Sequence, residues 1–137
     1  MIPRIARHFL YAALLGSLLA GCATPAVRCT TGDARVHELL YFGTQRPGGV
    51  VSPQEWAEFL RETVTPKFPD GLTAWPASGQ WRSADGSLVR EDSYVLNLVH
   101  ADDVASETAV REIVDAYKSR FAQEAVMRVT TGACVSF

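Results

Sequence analysis

Leu72–His100, LTAWPASGQWRSADGSLVREDSYVLNLVH, decides how this chain folds. Its second half, Leu88 to His100, reads as a strand with Tyr94-Val95-Leu96-Asn97-Leu98-Val99 at its heart. That run is rich in residues that suit a pleated, buried surface. The first half, Leu72 to Arg82, reads as another strand, weakened by Pro76 and Gly79. Those two residues suit an edge position or a bulge. Asp85-Gly86 between the halves is a tight-turn signal. The stretch is therefore an antiparallel hairpin.

Upstream of it, Val36 to Thr44 (VHELLYFGT) reads as a strand. Gln45 to Val51 holds Pro47, Gly48 and Gly49 and reads as a loop. Ser52-Pro53-Gln54-Glu55 then forms a capping box with proline at the first helical position. The helix it starts carries Trp56, Phe59, Leu60 and Val64 on one face, and Pro66 stops it. Downstream, Ala101-Asp102-Asp103 is a loop, and a helix runs from around Ser106 to about Gln123. Val110, Ile113, Val114, Tyr117 and Phe121 form its apolar stripe. A last strand runs from about Ala125 through Thr131 and on toward Phe137.

The order is βαββαβ. It matches the split-βαβ, ferredoxin-like plan, an α+β sandwich. That plan predicts a four-stranded antiparallel sheet in the order 4-1-3-2 with two helices on one face. The other face should then show polar alternation, yet Leu39, Leu40, Tyr41 and Phe42 put apolar groups on both sides of the first strand. Val95 and Val99 do the same for the third. Something is therefore expected to cover the second face. The candidates are a second copy of the chain, the segment around Phe68, Trp75 and Trp81, or a ligand.

The N-terminus is of another kind. Arg4 and Arg7 precede an apolar run from Phe9 to Leu19, which ends in Leu19-Ala20-Gly21-Cys22. A basic start, a short apolar middle and small residues before a cut site describe an export signal. The run is about 11 residues, against roughly 20 for a membrane-spanning helix. The cysteine after Leu-Ala-Gly resembles a bacterial lipobox. That likeness implies diacylglyceryl transfer to the Cys22 thiol, cleavage before it and acylation of the new amine. An ordinary cleaved signal with a chance cysteine is the competing reading. Two or more acyl chains hold a protein on a membrane firmly. Ala23, rather than Asp, resembles outer-membrane sorting in enteric-type bacteria. The expected location is therefore the cell envelope, on the outer membrane facing the periplasm.

The expected organisation is a signal at 1–21, a tether at 22–35 and one domain at 36–137. Removing residues 1–21 takes two of the 13 Lys+Arg and leaves 11 against 15 Asp+Glu, a net charge of −4. An acidic domain without a basic patch argues against a nucleic-acid partner. With Cys22 lipidated, Cys29 and Cys134 remain. In the ferredoxin-like plan the start of the first strand lies beside the end of the last, and these cysteines flank those ends. A disulfide is the expected state, with two free thiols as the other reading. No CxxC or HxxxH occurs and the three histidines lie far apart, so neither a metal nor a cofactor is expected.

LYFGTQRPGG, VSPQEWAEFLRETVTPKFPDGLT, GQWR and SYVLNLVH together resemble a family of uncharacterised bacterial lipoproteins, a domain of unknown function. The resemblance spans roughly Glu38 to Phe137. It implies an exported α/β domain and brings no reaction and no catalytic residues.

The most site-like polar groups are Arg46 (in Gln45-Arg46) and Arg82 (in Gln80-Trp81-Arg82). Two arginines near aromatics can grip a carboxylate or phosphate bidentately. They can equally lay their stems on the rings with their heads in solvent. Tyr94 and Asn97 on the third strand complete the candidate ligand set. His100 with Asp102 and Asp103 has the makings of an acid/base cluster, but also of a polar loop at a helix start. Ser93 and Ser106 lack a nucleophile-elbow pattern. The leading expectation is a non-catalytic, lipid-anchored binding or interaction module that self-associates through the sheet face. The alternative is a small enzyme or small-molecule binder using Arg46, Arg82, Tyr94 and Asn97 on the open sheet face.

Overall fold

The structure, a computed structural model, describes residues 27–82 and 85–137. The leader, Cys22 and the first part of the expected tether lie outside the described residues. Strand β1 spans Asp33–Gly43, and a small hairpin follows, β2 (Gln45–Arg46) with β3 (Gly49–Val50). Helix α1, Pro53–Phe59, continues as a π-helical turn, Leu60–Val64. Strands β4 (Thr73–Arg82) and β5 (Leu88–His100) form the central hairpin. Helix α2 is Val104–Phe121, and β6 is Met127–Val135.

The sheet order is β4-β5-β1-β6, and every neighbouring pair is antiparallel. With the small hairpin set aside, this is the ferredoxin-like arrangement that the sequence predicts. The chain is an α+β protein. β4 pairs with β5 without interruption from Thr73↔Asn97 to Arg82↔Leu88. There is no bulge: the edge position alone accommodates Pro76, whose missing N–H costs nothing on the unpaired side. β1 opens at Asp33, three residues earlier than its apolar pattern, because Asp33 and Ala34 pair with Val135 and Cys134. The same closure brings Cys29 and Cys134 to a Cα separation of 5.5 Å in a disulfide.

Local chemistry fixes the helices. Ser52 Oγ accepts from the Glu55 main-chain N, and the Glu55 carboxylate accepts from the Ser52 main-chain N, closing the capping box. Near Pro66 the ladder changes step: Thr65 N donates to Leu60 O at 2.8 Å, a five-residue span that ends the helix in a π turn. α2 is capped by Asp103, whose Oδ1 accepts from Ser106 N at 2.7 Å. The helix therefore opens before Ser106, where the apolar stripe alone would start it.

The core lies between the helices and one sheet face. Leu40, Phe42, Leu96 and Leu98 from the sheet meet Trp56, Phe59 and Val64 from α1 and its π turn, and Val110, Ile113, Tyr117 and Phe121 from α2. Tyr117 sits in the middle, 4.6 Å from Phe42 and 5.2 Å from Phe59 between ring centroids. Its hydroxyl donates to Gly43 O at 2.8 Å, so burial of the ring leaves no polar group orphaned. Burial also pushes its phenol pKa up.

No described element lies over the opposite face. Phe68 packs in the core on the helix side, its ring 5.6 Å from that of His100. Trp75 and Trp81 stay 40% and 52% exposed. Of the candidate covers for the second face, this segment is therefore not the one. The turn after α1 carries Phe68 to the helix layer, while β4 lies flat at the sheet edge.

Candidate functional site

Two surfaces stand out, and they lie on opposite sides of the sheet. The first is the open face. Strand register puts Trp75, Val95, Tyr41 and Met127 in one cross-strand row and Thr73, Asn97, Leu39 and Val129 in the next. Val95 is buried by its neighbours, whereas Val99, Met127 and Val129 remain 44%, 57% and 41% exposed. Asn97 sits among these apolar groups, and its Oδ1 is buried without a hydrogen-bond partner. A buried unpaired amide oxygen is costly in an apolar setting. The centre of the face is therefore apolar and uncovered by described residues, with charge confined to its ends at Asp33, Arg35 and Glu91.

The second surface is a cleft of about 540 Å³ beyond the ends of the helices. It lies between the small β2–β3 hairpin and the distal half of β4–β5, and is lined by Thr44, Gln45, Ser78, Gln80, Arg90 and Asp92 among others. Its walls are pinned. Thr44 Oγ1 donates to Asp92 O at 2.7 Å, and Gln45 N donates to Glu91 Oε1 at 2.8 Å. Gln45 Nε2 donates to Arg90 O at 3.2 Å, and Gln123 Nε2 to Gln45 O at 2.6 Å. Glu91 passes over Gly43: a Cβ there would stand 2.6 Å from the Glu91 carboxylate, which would have to shift to admit it.

The four residues singled out in the sequence do not converge on one site, and none of them lines this cleft. Arg46 bonds Glu55 at 2.7 Å and lies over the Phe121 ring at 5.6 Å. The carboxylate it grips is thus the chain's own. Hydrogen bonds from the Ser52 main chain first, and Arg46 second, hold the Glu55 carboxyl down at about 2. Tyr94 stacks on Trp56 at 4.8 Å with planes 4° apart. Burial first, then the charges of Asp92 and Glu55, raises its phenol pKa. Arg82 donates to Gly86 O at 2.8 Å across the tip of the hairpin. Trp81, next in sequence, projects from the other side of the strand. Asn97 is on the open face. Arg46 and Tyr94 therefore share the neighbourhood of Glu55, while Arg82 and Asn97 stand apart from them and from each other.

His100 and its aspartates also separate. The ring is buried, with Nδ1 2.7 Å from Ala101 O and Nε2 3.8 Å from Glu38 Oε1. Asp103 is committed to capping α2, and the Ser106 main chain lowers its pKa. What the sequence reading missed nearby is an ionic clamp. Glu38 has no exposed side-chain surface and is gripped by Arg128, which also bonds Glu107 Oε2 at 2.5 Å. Thr130 Oγ1 adds a bond to Glu38 Oε2 at 3.0 Å. A buried carboxylate needs such partners. Glu38 shares the core-facing parity of Leu40 and Phe42, which is the signal that marks it as special. Its partner lies 90 residues away.

The cleft residues carry a comparable signal. In β5, Leu96, Leu98 and His100 are buried on the helix side. Arg90 and Asp92 continue the same parity, so a charged pair occupies the core-facing track beyond the point where the helices stop.

Among solved structures, a phage SAM lyase in complex with S-methyl-5′-thioadenosine is similar, with a TM-score of 0.53 and 12% identity. The match covers 82% of this chain and 97% of that one. The apo state of a phage SAM lyase gives a TM-score of 0.53 at 12% identity, covering 81% and 98%. At that identity the likeness is one of fold. No curated protein matches the chain. The family model described as a protein of unknown function, DUF3574, matches residues 37–137.

Proposed function

The chain belongs to the DUF3574 family, and we propose that it is a lipid-anchored envelope protein whose domain is a self-associating interaction module. On this reading Cys22 carries the lipid and holds the domain on the outer membrane, facing the periplasm. The domain meets a second copy of itself through the open sheet face. The observation that carries the proposal is that face: Trp75, Val99, Met127 and Val129, each at least 40% exposed, surround Asn97 with no described element over them. A contiguous apolar surface of this kind marks an interaction site. A two-fold axis through it lets one patch serve both partners.

Light scattering on the chain from Ala23 onward tests the association. The expected mass is that of a dimer, reverting to a monomer in Val129→Asp. A monomer at all concentrations refutes the association. Mass spectrometry of the mature N-terminal peptide tests the anchor, where an unmodified Cys22 sulfur overturns it.

The fold likeness to the phage lyase prompts one further check. On the present reading S-methyl-5′-thioadenosine leaves the melting temperature unchanged. A saturable rise would show binding by mass action and favour the alternative, a small-molecule binder or enzyme.

A further inference from the structure

We propose that the cleft between the two hairpins binds the free termini of a very short peptide, with its carboxylate on Arg90 and its ammonium on Asp92. The proposal uses a different side of the sheet from the self-association face and stands or falls without it.

The argument begins with which polar groups are already committed. Gln45, Glu91 and Gln123 are consumed in holding the cleft open, through the bonds described above. Ser78, Gln80, Arg90 and Asp92 are not. Their side chains make no hydrogen bond or ion pair with another described residue. Ser78 stands opposite Asp92 and Gln80 opposite Arg90. The four therefore form a square of free donors and acceptors on one face, and all four line the cleft.

The decisive feature is that Arg90 and Asp92 do not pair with each other. They are opposite charges two residues apart on one side of a strand, about 7 Å between Cα atoms. The same spacing closes readily elsewhere in the chain: Arg35 and Asp33 on β1 make a bond of 3.3 Å. Nearby, Arg46 is bound to Glu55, and Arg120 to Glu58 and Glu62. An unclosed pair at the mouth of a pinned cleft presents one positive and one negative subsite side by side.

The ligand that complements this carries an ammonium and a carboxylate in one molecule, with an amide between them for Ser78 and Gln80. In an extended dipeptide the terminal groups lie about 6 Å apart by standard backbone dimensions. In a single amino acid they are only about 2.5 Å apart, with no central amide for Ser78 and Gln80 to bond. The Arg90 fork suits a carboxylate bidentately. Asp92 accepts from the ammonium, and Ser78 and Gln80 are placed to bond the central amide.

The probe is L-alanyl-L-alanine, titrated into the full chain in detergent and followed by backbone amide resonances. Saturable shifts are expected at Ser78, Gln80, Arg90 and Asp92. N-acetyl-alanyl-alanine, which lacks the ammonium, and alanyl-alanine amide, which lacks the carboxylate, should each bind at least tenfold more weakly. That is about the smallest effect of removing a hydrogen bond to a charged group. Arg90→Gln and Asp92→Asn should each cost a similar factor with the melting temperature unchanged, since both positions are exposed. Glycine, which has no central amide for Ser78 and Gln80, should bind at least tenfold more weakly than the dipeptide. The proposal is overturned by an absence of saturable shifts at about 10 mM dipeptide, roughly tenfold above a 1 mM Kd. It is equally overturned if the capped peptides bind as well as the free one. Should Arg90→Gln unfold the protein, the capped-peptide comparison on the unmodified chain decides alone.

Discussion

Ala122 closes α2 in the left-handed conformation, with φ 52° and ψ 43°. Among the described residues it is the only non-glycine with positive φ. A Cβ in that conformation costs roughly 1–2 kcal/mol, which glycine avoids. Part of that gain is lost because glycine is freer in the unfolded chain. Ala122→Gly should therefore stabilise the domain by about 0.5–1 kcal/mol, read as a raised urea midpoint with an unchanged slope. Other residues differ in how far the sequence announces their roles. Ser52 and Glu55 are legible because a capping box is a local pattern, complete within four positions. Asp103 is harder to see, since Ser106 three residues on is an equally good cap by type. Only the observed bond to Ser106 N decides between them. Glu38 can be placed on the core side by parity, but nothing near it in sequence points to Arg128.

At the scale of elements, α2 is clamped to the sheet by Glu107 and Glu38 on either side of the Arg128 guanidinium. The bonds from Arg128 first, and Arg111 second, hold the Glu107 carboxyl down from 4.5 to about 2. The folded value lies below the unfolded one. The stabilisation is therefore fully present above about pH 4.5 and is lost as pH falls toward 2. Glu55 at the start of α1 shows the same shift and adds to the same window. Urea midpoints should hold steady from pH 7 to 5 and then drop steeply between 4.5 and 2.5. Glu107→Gln should show a shallower drop. An unchanged profile in that variant would remove the clamp from the explanation. The long elements were readable because their apolar residues repeat at two or at three to four for many turns. The β2–β3 hairpin and the π turn were not: strands of two residues have no period, and one inserted residue barely disturbs the stripe of α1.

At the scale of the molecule, the topology followed from the element order, because short connections and antiparallel neighbours leave few alternatives. The sheet order, the edge position of β4 and the meeting of Cys29 with Cys134 all follow from it. The cleft does not, since it depends on where two hairpins overshoot the helices. The disulfide closes a loop of sequence separation 105. In the chain-entropy picture that constrains the unfolded state by about 4–5 kcal/mol. Reduction, or the Cys29→Ser and Cys134→Ser double variant, should lower stability by up to that amount without altering the sheet. Calorimetry in the presence and absence of reductant measures it. The bridge has a spatial corollary as well. It fastens the start of β1 to the end of β6, so these two strand ends share one pole of the sheet, and β1 carries the backbone about 35 Å to the far one. Any leash on the N-terminal stretch grips that first pole. If the anchor proposed above is present, the gap between the hairpins lies at the opposite end of β1 from it.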